Sequence, residues 1–319
     1  MHIDRRSFLK YSAFAAALTA MGGPPALSEE RNGIPYRILG KTGESVSILC
    51  LGGFHIGLPS LSDEESIRIT RTALDEGVNF LDNAYVYQGG RSEELMGKAM
   101  RDGYRDKAFL MTKFYTFERD AASARQQLEE SLRRLQTDVI DLWQVHQIHH
   151  ASHPAAVYEN DLPEVMLKAR DEGKIRYIGF TGHSRPEWMG EMLDGGFEWE
   201  TIQMPTNAFD HHWTSFEHSI LPRALDKNIG VIGMKSLGGQ AQFLGPELLT
   251  AKECLHYAMN LPIASVVCGM DNMDFLRQGI EAARTFRPLE EEEVAELLAR
   301  CSGAAAGGDL EYYKAGSPD

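Results

Sequence analysis

Eight short runs rich in apolar and β-branched residues recur along the chain, each followed by a stretch with helical periodicity. They are "SILCLGG" (47–53), "NFLDNA" (79–84), "AFLMTKF" (108–114), "VIDLWQVHQ" (139–147), "IRYIGFTG" (175–182), "TIQMPTN" (201–207), "GVIGMKS" (230–236) and "ASVVCGM" (264–270). Strictly alternating strands and helices call for parallel strands covered by crossover helices, and eight such units in about 260 residues predict a single-domain (β/α)8 TIM barrel. The helical stretches carry their own signals. Ser62 and Glu65 have the spacing of a capping box ahead of Ile67, Thr70 and Leu74, and Leu128, Leu132 and Leu135 form a stripe. A hairpin over Tyr36 to Val46, turning at "GKTGE", precedes the first unit. A doubly wound sheet would require G-x-G-x-x-G directly after an early strand, whereas "LGGFHIG" (51–57) spaces its glycines differently.

The ends of the chain read differently from the middle. "DRRSFLK" (4–10) leads into the small, apolar "YSAFAAALTAMGG", and Ala26 and Ser28 suit a signal-peptidase site. The run is too short for a permanent membrane span. Paired Arg5 and Arg6 ahead of Phe8 and Leu9 resemble a twin-arginine export signal, with Asp4 where Ser or Thr is usual. The resemblance implies passage through the twin-arginine (Tat) machinery to the periplasm, with residues 1–28 removed and no membrane contact afterwards. The barrel is expected over 35–302, and 303–319 ("GAAAGGDLEYYKAGSPD") reads as a flexible tail.

A net charge of −14, more acidic still without the basic segment 1–28, argues against nucleic acid or anionic membrane as a partner. Cys50, Cys254, Cys268 and Cys301 show no C-x-x-C spacing and read as structural thiols, consistent with folding in a reducing compartment.

Active sites of such barrels lie at the C-terminal ends of the strands. Asp82 and Tyr87 after the second run, Lys113 in the third and His146 in the fourth bring an acid, a phenol, an amine and an imidazole to one rim. Singly, each has a structural reading. Together they point to acid–base chemistry.

The same residues resemble the aldo-keto reductase family: "DNAYVYQGGRSEE", "MTKF", "DLWQVHQ", "GKIRYIGFTG" (173–182), "IQMPTN" (202–207) and "GMKSLGG" (233–239) occur in the family's order from about residue 35 to 285. The resemblance assigns Asp82, Tyr87, Lys113 and His146 to the catalytic tetrad, and it selects Tyr87 over Tyr85. It implies NAD(P)H-dependent reduction of an aldehyde or ketone, or the reverse oxidation, on a small-molecule carbonyl substrate without a metal. Hydride delivery builds negative charge on the carbonyl oxygen, so a donor and positive electrostatics are needed in advance. A tyrosine of pKa about 10 is a poor acid at neutral pH. A lysine about 4 Å away contributes roughly 4 kcal/mol at an effective dielectric near 20, so Lys113 is expected to acidify Tyr87. Asp82 would keep Lys113 charged and aimed, and His146 would orient the carbonyl.

For the cofactor, NADP(H) or NAD(H), the resemblance places the carboxamide at Thr181 and Gln203. The usual Asn beside the first is Gly182, which leaves the contact to His183 or absent. Met234 stands where an aromatic stacks on the nicotinamide, Leu237, Gly238 and Gly239 approach the pyrophosphate, and Gly269 to Asp271 meet the adenosine ribose. Asp271, with only Arg277 as a nearby cation, favours ribose hydroxyls over a 2′-phosphate. Two rivals compete with this reading. A metal-dependent barrel hydrolase is prompted by His146, His149, His150, His153, His183, His211 and His212, but such enzymes want H-x-H on strand 1, which holds only His55, and 149–153 reads as a solvated loop. A non-catalytic dinucleotide-binding sensor or partner subunit would be marked by a lost tetrad member. None is lost.

Overall fold

The computed structural model describes Tyr11, Ala16 and residues 23–115 and 120–315. Arg5 and Arg6 lie outside the described residues, and so does most of the export segment. Three antiparallel strands, β1 (Glu29–Arg31), β2 (Ile34–Ile38) and β3 (Ser45–Ser47), form a small separate sheet. The expected hairpin is its β2–β3 pair, with Tyr36 opposite Ser47 and a left-handed Gly43 (φ 74°) in the turn.

Eight strands then close into a barrel: β4 (Leu49–Gly52), β5 (Phe80–Asp82), β6 (Phe109–Phe114), β7 (Ile140–Ile148), β8 (Ile175–Gly182), β9 (Thr201–Pro205), β10 (Gly230–Met234) and β11 (Ser265–Cys268). Every neighbouring pair is parallel, and β11 returns to pair with β4. Closure leaves no sheet edge, which a doubly wound sheet would retain.

Side-chain alternation sorts these strands into two cores. Cys50, Phe80, Phe109, Met111, Leu142 and Ile232 pack together inside with Leu39 and Val46 of the N-terminal sheet region. Leu51, Leu81, Leu110, Phe114, Trp143 and Val145 face the surrounding helices. Because the side-chain period of a strand is two, the inward series continues from Phe80 to Asp82, from Met111 to Lys113, and from Leu142 through Gln144 to His146. The barrel's own geometry carries these polar groups to one rim.

The helices follow their signals with local differences. Ser62 accepts from the Glu65 amide at 3.1 Å, but the Glu65 carboxylate turns to Arg68 (2.7 Å), leaving the capping box half made. The buried face of that helix is Ser66, Ile69, Thr70, Ala73 and Leu74, with Ile67 only at its margin. Leu128, Leu132 and Leu135 are buried as a stripe. All four cysteines are buried free thiols.

The C-terminal segment departs from expectation. Helix Glu291–Ala305 continues through residue 303, and the described residues beyond it end in a docked 3-10 turn, Asp309–Lys314, rather than a loose tail. The Lys314 ammonium is fully buried, 2.7 Å from Asp210 and 2.9 Å from Glu311. The Tyr313 hydroxyl donates to Glu311 at 2.8 Å and accepts from Asn207 at 3.1 Å. "GAAAGG" suggests a loose tail because small residues bury little surface. The anchor lies just beyond it, with partners about a hundred residues away in sequence.

Candidate active site

The loop after β5 is stitched to β6 by its own backbone: the Asn83 amide donates to Met111 (2.9 Å), Tyr85 to Lys113 (2.9 Å) and Tyr87 to Ala84 (3.0 Å). Gln88, Gly89 and Gly90 then turn left-handed in succession, with φ of 51°, 65° and 96°. A side chain at Gly90 would strike the Arg134 guanidinium. That guanidinium stacks 4.5 Å over the Tyr85 ring and donates to the Tyr85 carbonyl at 3.1 Å. Tyr85 is thereby held at Arg134, and Tyr87 turns to Lys113.

Lys113, almost wholly buried, spends its three ammonium protons on the Asp82 carboxylate, the Asn83 carbonyl (2.7 Å) and the Tyr87 hydroxyl oxygen (3.2 Å). His146 presents its ring edge-on to Tyr87, centroids 5.7 Å apart, and Phe54 does the same from another side at 5.4 Å. Asp82, Tyr87, Lys113 and His146 therefore form one cluster.

Burial pushes the Asp82 carboxyl above its ordinary value, and Lys113 opposes without cancelling this. Burial pulls on Lys113 in the opposite sense, but the charges of Asp82 and Tyr87 outweigh it and hold the ammonium above its usual range. For Tyr87 the outcome corrects the expectation from sequence. Burial raises the phenol, Lys113 counteracts it, and the Asp82 charge adds to the rise. Lys113 does pull the resting phenol down, but burial, the largest influence, outweighs it, and the Asp82 charge offsets part of the pull.

Further round the rim, Thr181 ends β8 in a buried position and Gln203 lies buried in β9, bonded to Asp82 and 3.4 Å from the Gln144 amide. Met234 ends β10 half-buried, and Leu237 packs on the outer core. Gly238 and Gly239 are left-handed at φ 93° and 103°. Gly269 follows β11 with the His55 ring against it, and Asp271, one turn on, accepts from Asn272 at 3.1 Å. His183 is engaged at both nitrogens, with the Gln147 side chain (2.8 Å) and the Tyr313 carbonyl (3.2 Å). It does not replace the missing Asn in this arrangement.

The aldo/keto reductase family model matches residues 48–244, well over half of the chain. The chain belongs to that family. It is 36% identical over 214 residues to the aldo-keto reductase YhdN of Bacillus subtilis, a match covering 63% of this chain and 62% of that one. The chain thus spans about three fifths of the length of that relative. Among solved structures, the holo form of aldo-keto reductase AKR11C1 from Bacillus halodurans superposes with a TM-score of 0.69 at 24% identity, covering 86% of this chain and 97% of that one. An aldo-keto reductase from Klebsiella pneumoniae in complex with NADP and acetate gives 0.68 at 24%, covering 82% and 93%. At that identity both establish the fold.

Within this aldo-keto reductase, sequence reasoning missed two contributors. The Asn83 carbonyl takes a Lys113 proton, a backbone contact that residue types cannot signal. Lys235, adjacent to Met234, places its ammonium 5.5 Å over the Tyr313 ring. Its one sequence cue was a cation directly before the loop at 237–239. The histidines also differ from a solvated loop: His153 is buried at the start of helix His153–Glu159 and stacks edge-on against His149 at 4.5 Å. Among the described residues no group of three acidic, histidine or cysteine side chains is placed to hold a metal ion.

Proposed function

We propose that this aldo-keto reductase reduces an aldehyde or ketone to the alcohol, or runs the reverse, with a nicotinamide dinucleotide as hydride donor or acceptor. The observation that carries this reading is the Lys113 hydrogen bond to Tyr87 at 3.2 Å. An ammonium has no lone pair, so the Tyr87 oxygen must accept and its own proton is left for another acceptor brought up beside His146. A carbonyl oxygen held there by His146 receives that proton as negative charge develops on it. The phenolate left behind faces the Lys113 ammonium, so the stabilisation appears as charge moves. Asp82 and Gln203 keep the ammonium in place.

The rim residues fit a dinucleotide. Thr181 is buried near the end of β8, where the carboxamide would lie. The left-handed Gly238 and Gly239 allow close backbone approach to phosphate. When bound, the nicotinamide would supply the hydride. The NADP named for the Klebsiella pneumoniae structure supports a cofactor of this kind. NADH is favoured here: Arg277 is engaged with Asp274 at 2.9 Å, and Asp271 would repel a 2′-phosphate. Dissociation constants for NADH and NADPH test this, and a preference for NADPH above about tenfold (about 1.4 kcal/mol) reverses it. Oxidation of NADH and NADPH with a panel of aldehydes, ketones and quinones tests the reaction itself, and cofactor binding without turnover would support a sensor instead.

The pair Arg5 and Arg6 supports export through the Tat route to the periplasm, a route that carries folded proteins and therefore permits loading of cofactor beforehand. Fractionation of cells expressing the full chain and its Arg5→Lys, Arg6→Lys variant tests export. Dinucleotide analysis of periplasmic protein tests loading. Protein confined to the cytoplasm would remove the export claim.

A further inference from the structure

Tyr87 stands in the middle of a loop whose two ends meet one guanidinium. Arg134, near the end of helix Ala121–Leu135, donates from Nη1 to the Tyr85 carbonyl at 3.1 Å and lies 4.5 Å over the Tyr85 ring. At the other end, a Cβ on Gly90 would stand 2.5 Å from the Arg134 Cζ and Nη1, so the guanidinium fills the space against that glycine's backbone. Between these ends Gln88 is left-handed, at φ 51°, a conformation that a residue with a side chain keeps only where its surroundings impose it.

The guanidinium is fixed in turn. Its Nε donates to Glu130 at 3.0 Å, and Nη1 also reaches Glu93 at 3.3 Å. Glu93, in helix Arg91–Ala99, is fully buried, and its other carboxylate oxygen accepts from the Thr112 hydroxyl at 2.7 Å. Strand parity turns Thr112 outward with Leu110 and Phe114, while Lys113 points into the barrel. One ion pair behind the sheet therefore touches the residue before Lys113 and the residue two before Tyr87. The Tyr85 amide, which donates to the Lys113 carbonyl at 2.9 Å, closes the circuit. An apolar pair of the same volume commonly serves packing as well as a buried ion pair does. What the ion pair adds is a fixed direction at both contacts.

We propose that Arg134, held by Glu93 and Glu130, is a positioning residue for the reaction: from outside the barrel, through the Tyr85 backbone, it sets where Tyr87 stands against Lys113. The inference rests on the proton-donor reading of Tyr87 given above and extends it to residues of two outer helices.

A cycle of Arg134→Met, Tyr87→Phe and the double variant tests the assignment, with Arg134→Lys and Glu93→Gln alongside and thermal melts to establish that each variant is folded. Glu93→Gln carries the test if Arg134→Met does not fold. Misplacing a reacting group by a change remote from the chemistry costs up to about 10²-fold, so Arg134→Met should lower kcat for carbonyl reduction by about 10- to 100-fold with KM and dinucleotide affinity near wild type. In the Tyr87→Phe background the same substitution should cost nothing further, because the group it positions is gone. Arg134→Lys keeps the charge but not the fork that spans Glu130 and the Tyr85 carbonyl, and should recover little. Glu93→Gln keeps an oxygen for Thr112, loses the charge facing Arg134 and should show the same pattern at smaller size. Wild-type kcat in Arg134→Met, losses that multiply in the double variant, or full activity in Arg134→Lys overturns the inference. The carbon resonance of the Tyr87 Cζ, identified by its absence from Tyr87→Phe, reads position without activity, and Arg134→Met should shift it as the Lys113 hydrogen bond loosens. A shift seen while Tyr87→Phe remains fully active overturns the proton-donor reading and leaves the positioning standing. A resonance and a kcat that both stay put overturn the positioning and leave the proton-donor reading untouched.

Discussion

Lys113 donates to the Tyr87 hydroxyl at 3.2 Å while its remaining protons go to the Asp82 carboxylate and the Asn83 carbonyl. The ammonium is fully committed, so its orientation is set before any substrate arrives, and the phenolic proton is left for an incoming acceptor. The proposed chemistry depends on that one-way bond.

Tyr87→Phe removes the proton donor and little packing. The expected loss in kcat/KM for carbonyl reduction is about 10²- to 10⁴-fold, the usual range for a general acid. Dinucleotide affinity, read by quenching of protein fluorescence, should be unchanged. Tyr85→Phe keeps its stack on Arg134 and should remain close to wild type. Equal losses in the two variants would assign the proton to another group.

Asp82→Asn leaves a buried ammonium without its counter-charge, and breaking such a pair costs about 3–5 kcal/mol. Urea denaturation should show that loss for the single variant and recovery of much of it in Asp82→Asn with Lys113→Met. Activity should return in neither. A single variant as stable as wild type would mean that the pair is not maintained in solution.

The raised Tyr87 phenol sets the pH dependence. Reduction needs the protonated phenol, so kcat/KM in that direction should stay flat through neutral pH and fall only above the ordinary tyrosine range, about 10. Alcohol oxidation needs the phenolate and should rise with pH over the same interval. Profiles from pH 6 to 11 in both directions decide it. A reduction limb centred below pH 8 would show that the pull of Lys113 outweighs burial in the working enzyme.

Docking of the C-terminal turn should weaken with rising pH. Burial, then the Asp210 charge, push the Glu311 carboxyl up to about 7, with Lys314 and Tyr313 opposing. A carboxyl whose folded pKa is raised contributes stability that is full below the ordinary carboxylate range and lost as pH passes through about 7. Limited proteolysis at 306–315 should therefore be faster at pH 8 than at pH 6, and Glu311→Gln should flatten the difference. Lys314→Met, which strands Asp210 and Glu311, should expose the segment at both pH values.

The barrel was legible in the chain because its two governing patterns are local. Strand–helix alternation needs only a few dozen residues to show itself, and strand parity carries Asp82 and Lys113 inward from the apolar residues two positions before them, and His146 from Leu142 four positions before it. The motif around Tyr87 likewise lies within one loop, and the left-handed run at Gln88 to Gly90 is announced by its glycines. Even so, the half-made capping box at Ser62 shows that Glu65 had a competitor, Arg68, which spacing alone does not rank.

The remaining features are properties of groups far apart in sequence. Lys314 finds Asp210, and Tyr313 finds Asn207, only when the C-terminal turn folds back across the rim. The resting state of Tyr87 depends first on burial and then on the opposed charges of Lys113 and Asp82, a balance that no residue pattern encodes. Local pattern selects which side chains reach the rim; the long-range field and solvent exclusion created by closing the barrel decide how each of them behaves there.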